Sequence, residues 1–301
     1  MKKDLILKIS LIILACLISL LAVIPTQTAE KDRGAWMAEL DDARMLNTLA
    51  IPGTHDSGAT HSIADLSGKC QSLSIKEQLK LGVRFFDIRL QLKNNELVVV
   101  HSFVDQATDF SDVLADMSAF LNENPSEFLL VSIKEDADAV NSSLDFTKAL
   151  EDMLLSCDNL SRETTLPETV GEARGKMHII ARYSDATIGY PAYHGWADST
   201  SFELGELYVQ DHYRVSDDVE KKNDILVTMQ TAERYEHALV LNFTSCYYPD
   251  GFPPTYAGTP ALKINPWFTE FLKNNNGAAG VFVCDFMTRE LCDAIIGGNF
   301  V

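Results

Sequence analysis

The chain has 301 residues, with 25 Lys and Arg against 43 Asp and Glu, for a formal charge of -18 with histidine neutral. Its 46% apolar and 23% charged residues describe a chain that buries a sizeable core and lies outside the disordered class. An isoelectric point near 4.7 argues against sequence-independent binding of nucleic acid and against a polybasic grip on anionic lipid, since both need surplus Lys and Arg.

Residues 1–29 differ from the rest: Lys2, Lys3 and Lys8 flank a near-continuous apolar run over 9–24, followed by the polar stretch 25–29. This pattern reads as a secretory signal peptide, with Thr26/Thr28 or Gln27/Ala29 as small-residue cleavage candidates and an uncleaved N-terminal membrane anchor as the alternative. Cys16 sits inside the apolar run and not at its end, which argues against a lipoprotein box. The expected mature protein, 30–301, is secreted and more acidic still. It keeps Cys70, Cys157, Cys246, Cys284 and Cys292 without a CxxC pair, so no zinc motif is present and complete disulfide pairing is excluded by the odd count. One or two disulfides remain open, but sparse cysteine leaves the stabilisation to the core.

In chain order, strand-like apolar runs occupy 49–51, 83–90, 97–101, 128–134, 177–182, 207–210, 238–243 and 280–285. Between them, 110–124 carries Phe110, Val113, Leu114, Met117, Phe120 and Leu121 at helical spacing and ends at Asn-Pro. Further helices are predicted at 143–155, 217–234, 266–273 and 288–296. Strand alternating with helix over this length predicts an α/β fold, a single imperfect TIM-type (β/α) barrel, for which about 250 residues is typical. One connection is short: 91–96 cannot hold a parallel crossover, so a hairpin at Asn94-Asn95 is expected. A two-residue turn pairs Ile88 with His101 and turns His101 away from the face of Asp87 and Arg89, whereas a three-residue loop or bulge puts all three on one face. His55, Arg89, His101, Lys134, Arg182, Asp211 and Asp285 each end an apolar run. In a parallel barrel those ends share the face where barrel enzymes keep their chemistry.

The most specific stretch is Leu49-Ala50-Ile51-Pro52-Gly53-Thr54-His55-Asp56-Ser57-Gly58, followed by Arg84-Phe85-Phe86-Asp87-Ile88-Arg89. Leu97 to His101, Asn124-Pro125-Ser126-Glu127, Ser132-Ile133-Lys134, Arg174-Gly175-Lys176, Arg182-Tyr183-Ser184 and Val209-Gln210-Asp211-His212-Tyr213 continue in order, and the set closes on Leu241-Asn242-Phe243-Thr244-Ser245 and Val283-Cys284-Asp285-Phe286. In these residues, over about 40–290, the chain resembles the bacterial phosphatidylinositol-specific phospholipase C family of X-domain type.

Cleaving a phosphodiester near neutral pH needs a base for the attacking hydroxyl, an acid for the leaving alkoxide, and positive charge at the phosphoryl oxygens. The resemblance implies that His55, polarised by Asp285, is the base toward the inositol 2-hydroxyl. It implies that His101, assisted by Asp56, is the acid toward the diacylglycerol oxygen, and that Arg89 clamps the phosphate where related metal-dependent enzymes use calcium. Asp87 would orient Arg89, while Lys134, Arg182, Asp211 and Tyr213 would hold the inositol ring. The implied substrate is phosphatidylinositol, with glycosyl-phosphatidylinositol anchors left open as a further target, and the implied products are diacylglycerol and inositol 1,2-cyclic phosphate. The implied enzyme is a phosphatidylinositol diacylglycerol-lyase that needs no metal and no cofactor, and meets phosphatidylinositol in membranes peripherally and transiently, as a monomer. His61, His178, His194, His212 and His237 match no family position and read as core or surface residues, and Cys284 should point away from Asp285 into the core.

Two other readings compete. A metal-dependent glycerophosphodiesterase would need acidic ligands where Asp87-Ile88-Arg89 presents a cation, and a non-catalytic X-domain module that binds inositol lipids would not need both histidines, Arg89 and Asp285. For lipid docking, the loop 246–256 carries Tyr247, Tyr248, Phe252 and Tyr256 among prolines, either as tips for a membrane interface or as rings folded onto the rim. Familiar members have a short membrane-touching helix in the region of 61–74, and this chain has no Trp there.

Overall fold

A computed structural model describes residues 34–61, 68–102, 104–232, 237–250, 256–275 and 277–300. The predicted signal segment, part of the 61–74 region and the tip of the 246–256 loop, including Phe252, lie outside the described residues.

Seven strands form a curled parallel sheet: β1 (Ala50–Thr54), β2 (Phe85–Lys93), β5 (Leu129–Glu135), β6 (Met177–Arg182), β9 (Leu207–Gln210), β10 (Leu239–Phe243) and β11 (Gly280–Cys284). With β7 (Tyr190–Pro191) and β8 (Ser201–Leu204) at the edges, the hydrogen-bonded order is β7-β6-β5-β2-β1-β11-β10-β9-β8. The barrel is thus open between the β6–β7 and β8–β9 edges, in agreement with the imperfect barrel expected from the sequence. Strands β1, β10 and β11 are buried along their whole length, as parallel strands covered on both faces should be. Pro52 sits in the middle of β1 and has no N–H to give, and the β1–β2 pairing begins only beyond it, at Gly53 opposite Phe85.

The helices are α1 (Ile75–Leu81), α2 (Phe110–Glu123), α3 (Phe146–Leu154), α4 (Val170–Ala173), α5 (Asp218–Ala232), α6 (Gly258–Asn274) and α7 (Arg289–Gly297). Helix α1 starts at a capping box in which Ser74 and Glu77 satisfy each other's backbone N–H, and it stops at Gly82, whose φ of 120° suits only glycine. The apolar stripe of α2 is the buried face predicted for it. Helix α6 departs from expectation by starting well before Pro266. Pro260 falls in its first turn, where the N–H is unpaired in any case, and Pro266 removes a single bond from a helix of 17 residues.

The predicted hairpin is present as β2 and β3 (Glu96–His101), joined by Asn94-Asn95. Both asparagines have positive φ, 54° and 67°, as a type I′ turn requires. Two further antiparallel pairings, β3 with β4 (Val104–Asp109) and β8 with β9, were not expected. Their extra strands are short and partly exposed, so they carry little apolar signal.

At the bottom of the barrel Arg84 and Glu127, both fully buried, pair at 2.8 Å. Arg84 also donates to the carbonyls of Leu79, Val83 and Gly34, and Glu127 accepts from Met37 N. This clamp is the structural role of two motif residues that the chemistry leaves unused. The five described cysteines are all unpaired thiols, so the disulfides left open by composition are absent among them. Cys284 is buried with Sγ turned toward Phe282 O, away from Asp285 as the alternation predicts.

Candidate active site

Strand register builds the site. In the parallel ladder Arg89 lies opposite Lys134, and Lys134 opposite Arg182, so the ends of β2, β5 and β6 set three cations side by side at the barrel mouth. Thr54 pairs with Cys284, and the next residues, His55 and Asp285, meet with Nδ1 and Oδ1 at 2.8 Å. Asn265 of α6 donates to the carbonyls of Asp285 and Phe286, and Gln71 bridges the carbonyls of His55 and Cys284. Both steady this pair from behind.

The turn after β1 is clamped to β2. Ser57 N donates to Asp87 O at 2.7 Å, Asp87 N donates to Ser57 Oγ at 2.8 Å, and Asp56 N donates to Asp87 Oδ2 at 3.2 Å. Gly58 faces Val99 of β3 so closely that a Cβ would sit 2.6 Å from its Cγ1. That approach draws β3 over the turn and brings His101 Nδ1 to 2.5 Å from Asp56 Oδ2.

The hairpin corrects one sequence argument. Its turn has two residues, the register that was expected to face His101 away, yet His101 reaches the site. The β2–β3 ladder ends at Leu90–Val99, so the Ile88–His101 pair on which that expectation rested does not form, and His101 pairs instead with Val104 of β4. His101 is thus released from the register of β2. Asp56, Ser102 and Phe286, next to His55, His101 and Asp285, all have left-handed backbones, with φ of 41°, 55° and 46°. Such strained turns on non-glycine residues gather where a site imposes geometry.

Arg89 lies between the two histidine–carboxylate pairs. Its Nη2 donates to His55 Nε2 at 2.7 Å and to Asp87 Oδ2 at 3.2 Å, Nε is 3.6 Å from Asp56 Oδ2, and Nη1 is 3.9 Å from Asp136. Accepting from Arg89 makes His55 a neutral imidazole with its proton on Nδ1, facing Asp285. Burial lowers the His55 pKa, but Asp285, helped by Asp87, outweighs burial and Arg89, so it lies above its ordinary value. Burial works against the Arg89 charge, yet Asp87, Asp56 and Asp136 raise its pKa well above the usual guanidinium value. Asp87 resists burial in the same way: Arg89 and Arg182 hold it well below the carboxylate range.

A cavity of about 870 Å³ opens above these groups. His55, Arg89, His101 and Asp285 line it, as do all four expected ring-binding residues, Lys134, Arg182, Asp211 and Tyr213. Asp56 and Asp87 lie beneath, fully buried. Arg182 donates to Asp87 at 3.2 Å and stacks 3.8 Å above the Trp196 ring, whose Nε1 donates to Asp211 at 3.1 Å. Tyr213 stacks on Tyr247, and its hydroxyl donates to Asp198. Burial and that carboxylate push the phenol up to about 12. At the rim Tyr248 is buried, Tyr247 is half-buried and Tyr256 is exposed, so the described part of the aromatic loop mostly folds onto the mouth.

Sequence reasoning missed Asp136, Trp196, Asp198 and Asn265. Asp136 holds Lys134 Nζ at 2.5 Å and accepts from Ser102 N at 2.7 Å, tying β5 to the His101 turn. Its only sequence signal is its place two residues after Lys134, on the same side of the chain. Trp196 and Asp198 lie in a segment without periodicity, and Asn265 lay outside the helix predicted there.

Residues 49–183 match the family model described as phosphatidylinositol-specific phospholipase C, X domain. Over this stretch the chain is similar to the X domain of that family. Beyond it, the chain is 28% identical to the 1-phosphatidylinositol phosphodiesterase of Staphylococcus aureus (strain Newman), over 83% of this chain and 87% of the relative. The Listeria monocytogenes enzyme of the same name is 24% identical, over 88% and 84% of the two chains. A solved structure of the Staphylococcus aureus phosphatidylinositol-specific phospholipase C superposes with a TM-score of 0.80 at 25% identity, over 90% of this chain and 99% of the other. The X-domain match covers β1 to β6, and with them Arg89, His101 and the cation row.

Proposed function

We propose that the protein is a secreted, monomeric phosphatidylinositol-specific phospholipase C that cleaves phosphatidylinositol, without a metal, to diacylglycerol and inositol 1,2-cyclic phosphate. The observation that carries this reading is the pair of histidines, each backed by a buried carboxylate, with one guanidinium between them. That set supplies base, acid and fixed positive charge around a single point. The relatives named for 1-phosphatidylinositol phosphodiesterase activity support the substrate class.

In the proposed reaction the lipid phosphate draws Arg89 Nη2 off His55 Nε2. The freed nitrogen takes the proton of the inositol 2-hydroxyl, and that oxygen attacks phosphorus, to which its own ring already tethers it. The bond from phosphorus to the glycerol oxygen breaks as His101, its Nδ1 steadied by Asp56, delivers a proton from Nε2. Arg89 meets the charge gathering on the non-bridging oxygens, the task a calcium ion performs in the metal-dependent alternative. Lys134, Arg182 and Asp211 offer charged partners to the ring hydroxyls. The encounter with the membrane is peripheral, through the rim that holds Tyr247 and Tyr256.

The test is incubation with phosphatidylinositol vesicles in EDTA, followed by phosphorus NMR, with His55→Ala as control. A five-membered cyclic phosphate that disappears in the variant is the expected result. Turnover only after calcium is added would transfer the protein to the metal-dependent class, and no turnover in either condition would sink the catalytic reading.

A further inference from the structure

Cys70 lies where the two histidine–carboxylate pairs meet. It is 1% exposed, lines the cavity, and takes no part in the reaction above. Its Sγ is 3.6 Å from His101 Nδ1, and the donor atoms of Asp56, Cys70 and His101 all lie within 4.8 Å of one another. His55 and Asp285 form a second such group around the same sulfur.

Asp56 supplies an independent sign of a missing ligand. Its carboxylate is fully buried, and neither oxygen has a partner of hydrogen-bond geometry among the described residues. Its contacts are the approaches of His101 at 2.5 Å and Arg89 at 3.6 Å. Both contacts fall on Oδ2, so the buried Oδ1 is left without a donor, which is costly, and direct coordination to a cation would satisfy it.

We propose that the pocket binds a thiophilic divalent cation, of which Zn²⁺ is the type, through Cys70 Sγ, His101 Nδ1 and one Asp56 oxygen, with the fourth position open to the cavity. Tetrahedral zinc with bonds of about 2.3 Å to sulfur and 2.0 to 2.1 Å to nitrogen sets those two donors roughly 3.5 Å apart, close to the separation present. The Asp56–His101 contact has to widen by about 1 Å to reach the same geometry. On binding at a pH where His101 is neutral, the S–H bond breaks, a Zn–S bond forms, and one proton leaves to solvent while the His101 proton moves to Nε2. Thiolate and carboxylate then neutralise the ion, as a buried site requires. Arg89 stands next to the site, but Asp87 and Asp136 already face its charge. Calcium and magnesium prefer all-oxygen shells and have no advantage here. The ion pins His101 and removes Asp56 from it, so occupancy inhibits. This consequence rests on His101 as the acid of the proposed reaction, whereas binding itself does not.

The purified full chain is titrated with ZnCl₂ by calorimetry in two buffers of different ionisation enthalpy, and with Co²⁺ by absorption. One ion per chain, one proton released and a thiolate-to-cobalt charge-transfer band are expected. Cys70→Ser, checked for folding by circular dichroism, should abolish the band and weaken zinc roughly 100-fold or more, since even outer-shell losses cost about 10 to 100-fold. His101→Ala should also weaken binding, while His55→Ala should leave it intact. No saturable binding by the unaltered chain, or an undiminished band and affinity in Cys70→Ser, overturns the site. Weakening by His55→Ala but not His101→Ala overturns the assigned ligands. Turnover of phosphatidylinositol should fall in step with zinc occupancy and return with EDTA, and full turnover at saturation overturns the inhibitory consequence. A chain that binds zinc as described yet is inactive on the lipid in EDTA supports the site and refutes the catalytic reading.

Discussion

His55 shows how one side chain is tuned by what surrounds it. Burial and Arg89 favour the neutral imidazole, and Asp285, by charge and hydrogen bond, favours the imidazolium and prevails. A base has to be neutral to accept a proton, so kcat/KM should climb as pH rises through the His55 pKa, at a pH above the ordinary imidazole value of about 6.5. Asp285→Asn removes the largest influence holding the pKa up and leaves burial and Arg89. The ascending limb should then move to lower pH while the plateau falls by about 10² to 10⁴-fold, because the ring also loses its orientation. A pH profile of kcat/KM for the two proteins decides this, and an unmoved limb would show that another group governs the ascent.

At the scale of elements, the active histidines depend on how β1, β3 and β11 approach one another. Gly58 lets the turn after β1 pack under Val99, and this contact seats His101 over Asp56. Gly58→Ala should therefore push β3 outward, costing about 1 to 3 kcal/mol of stability and lowering kcat more than KM. Val99→Ala added to it should restore part of the lost kcat, which a double-mutant cycle with steady-state kinetics would read. If the second change only adds to the damage, the contact does not position His101. The same elements mark what the sequence could and could not tell. Arg89, Lys134 and Arg182 were legible because each ends an apolar run, and parallel register lines up such ends. The contact between His55 and Asp285 spans 230 residues, and only the resemblance, not local pattern, suggested it. The path of His101 was misjudged because a two-residue turn does not show how far its ladder runs, and this one stops at Leu90–Val99. Asp136, Trp196 and Asn265 were missed because a single polar or aromatic residue outside a periodic run gives no signal of where it points.

Across the whole molecule, the two ends of the barrel divide the work. Arg84 and Glu127 lock the lower end, remote from the mouth. Arg84→Ala leaves the Glu127 carboxylate buried without its cation, so unfolding should become easier by about 3 to 5 kcal/mol, measured by urea denaturation, while KM of the folded fraction stays as it was. A changed KM would mean that the two ends are coupled.

The upper end faces a different problem, since a chain of formal charge -18 has to approach an anionic lipid surface. Its cations, Arg89, Lys134 and Arg182, are gathered inside the mouth and closely matched by Asp87, Asp136 and Asp211, so little positive field projects outward. At long range repulsion prevails. Raising salt from about 0.01 M to about 0.15 M shortens the screening length from about 30 Å to about 8 Å. That change weakens repulsion between protein and vesicle far more than it weakens contacts inside the pocket. Turnover on phosphatidylinositol vesicles should therefore rise with salt over this range, while turnover of a soluble short-chain phosphatidylinositol below its micellar concentration should change little. Vesicle turnover that falls with salt would instead show a basic docking patch at the mouth, strong enough to outweigh the net charge.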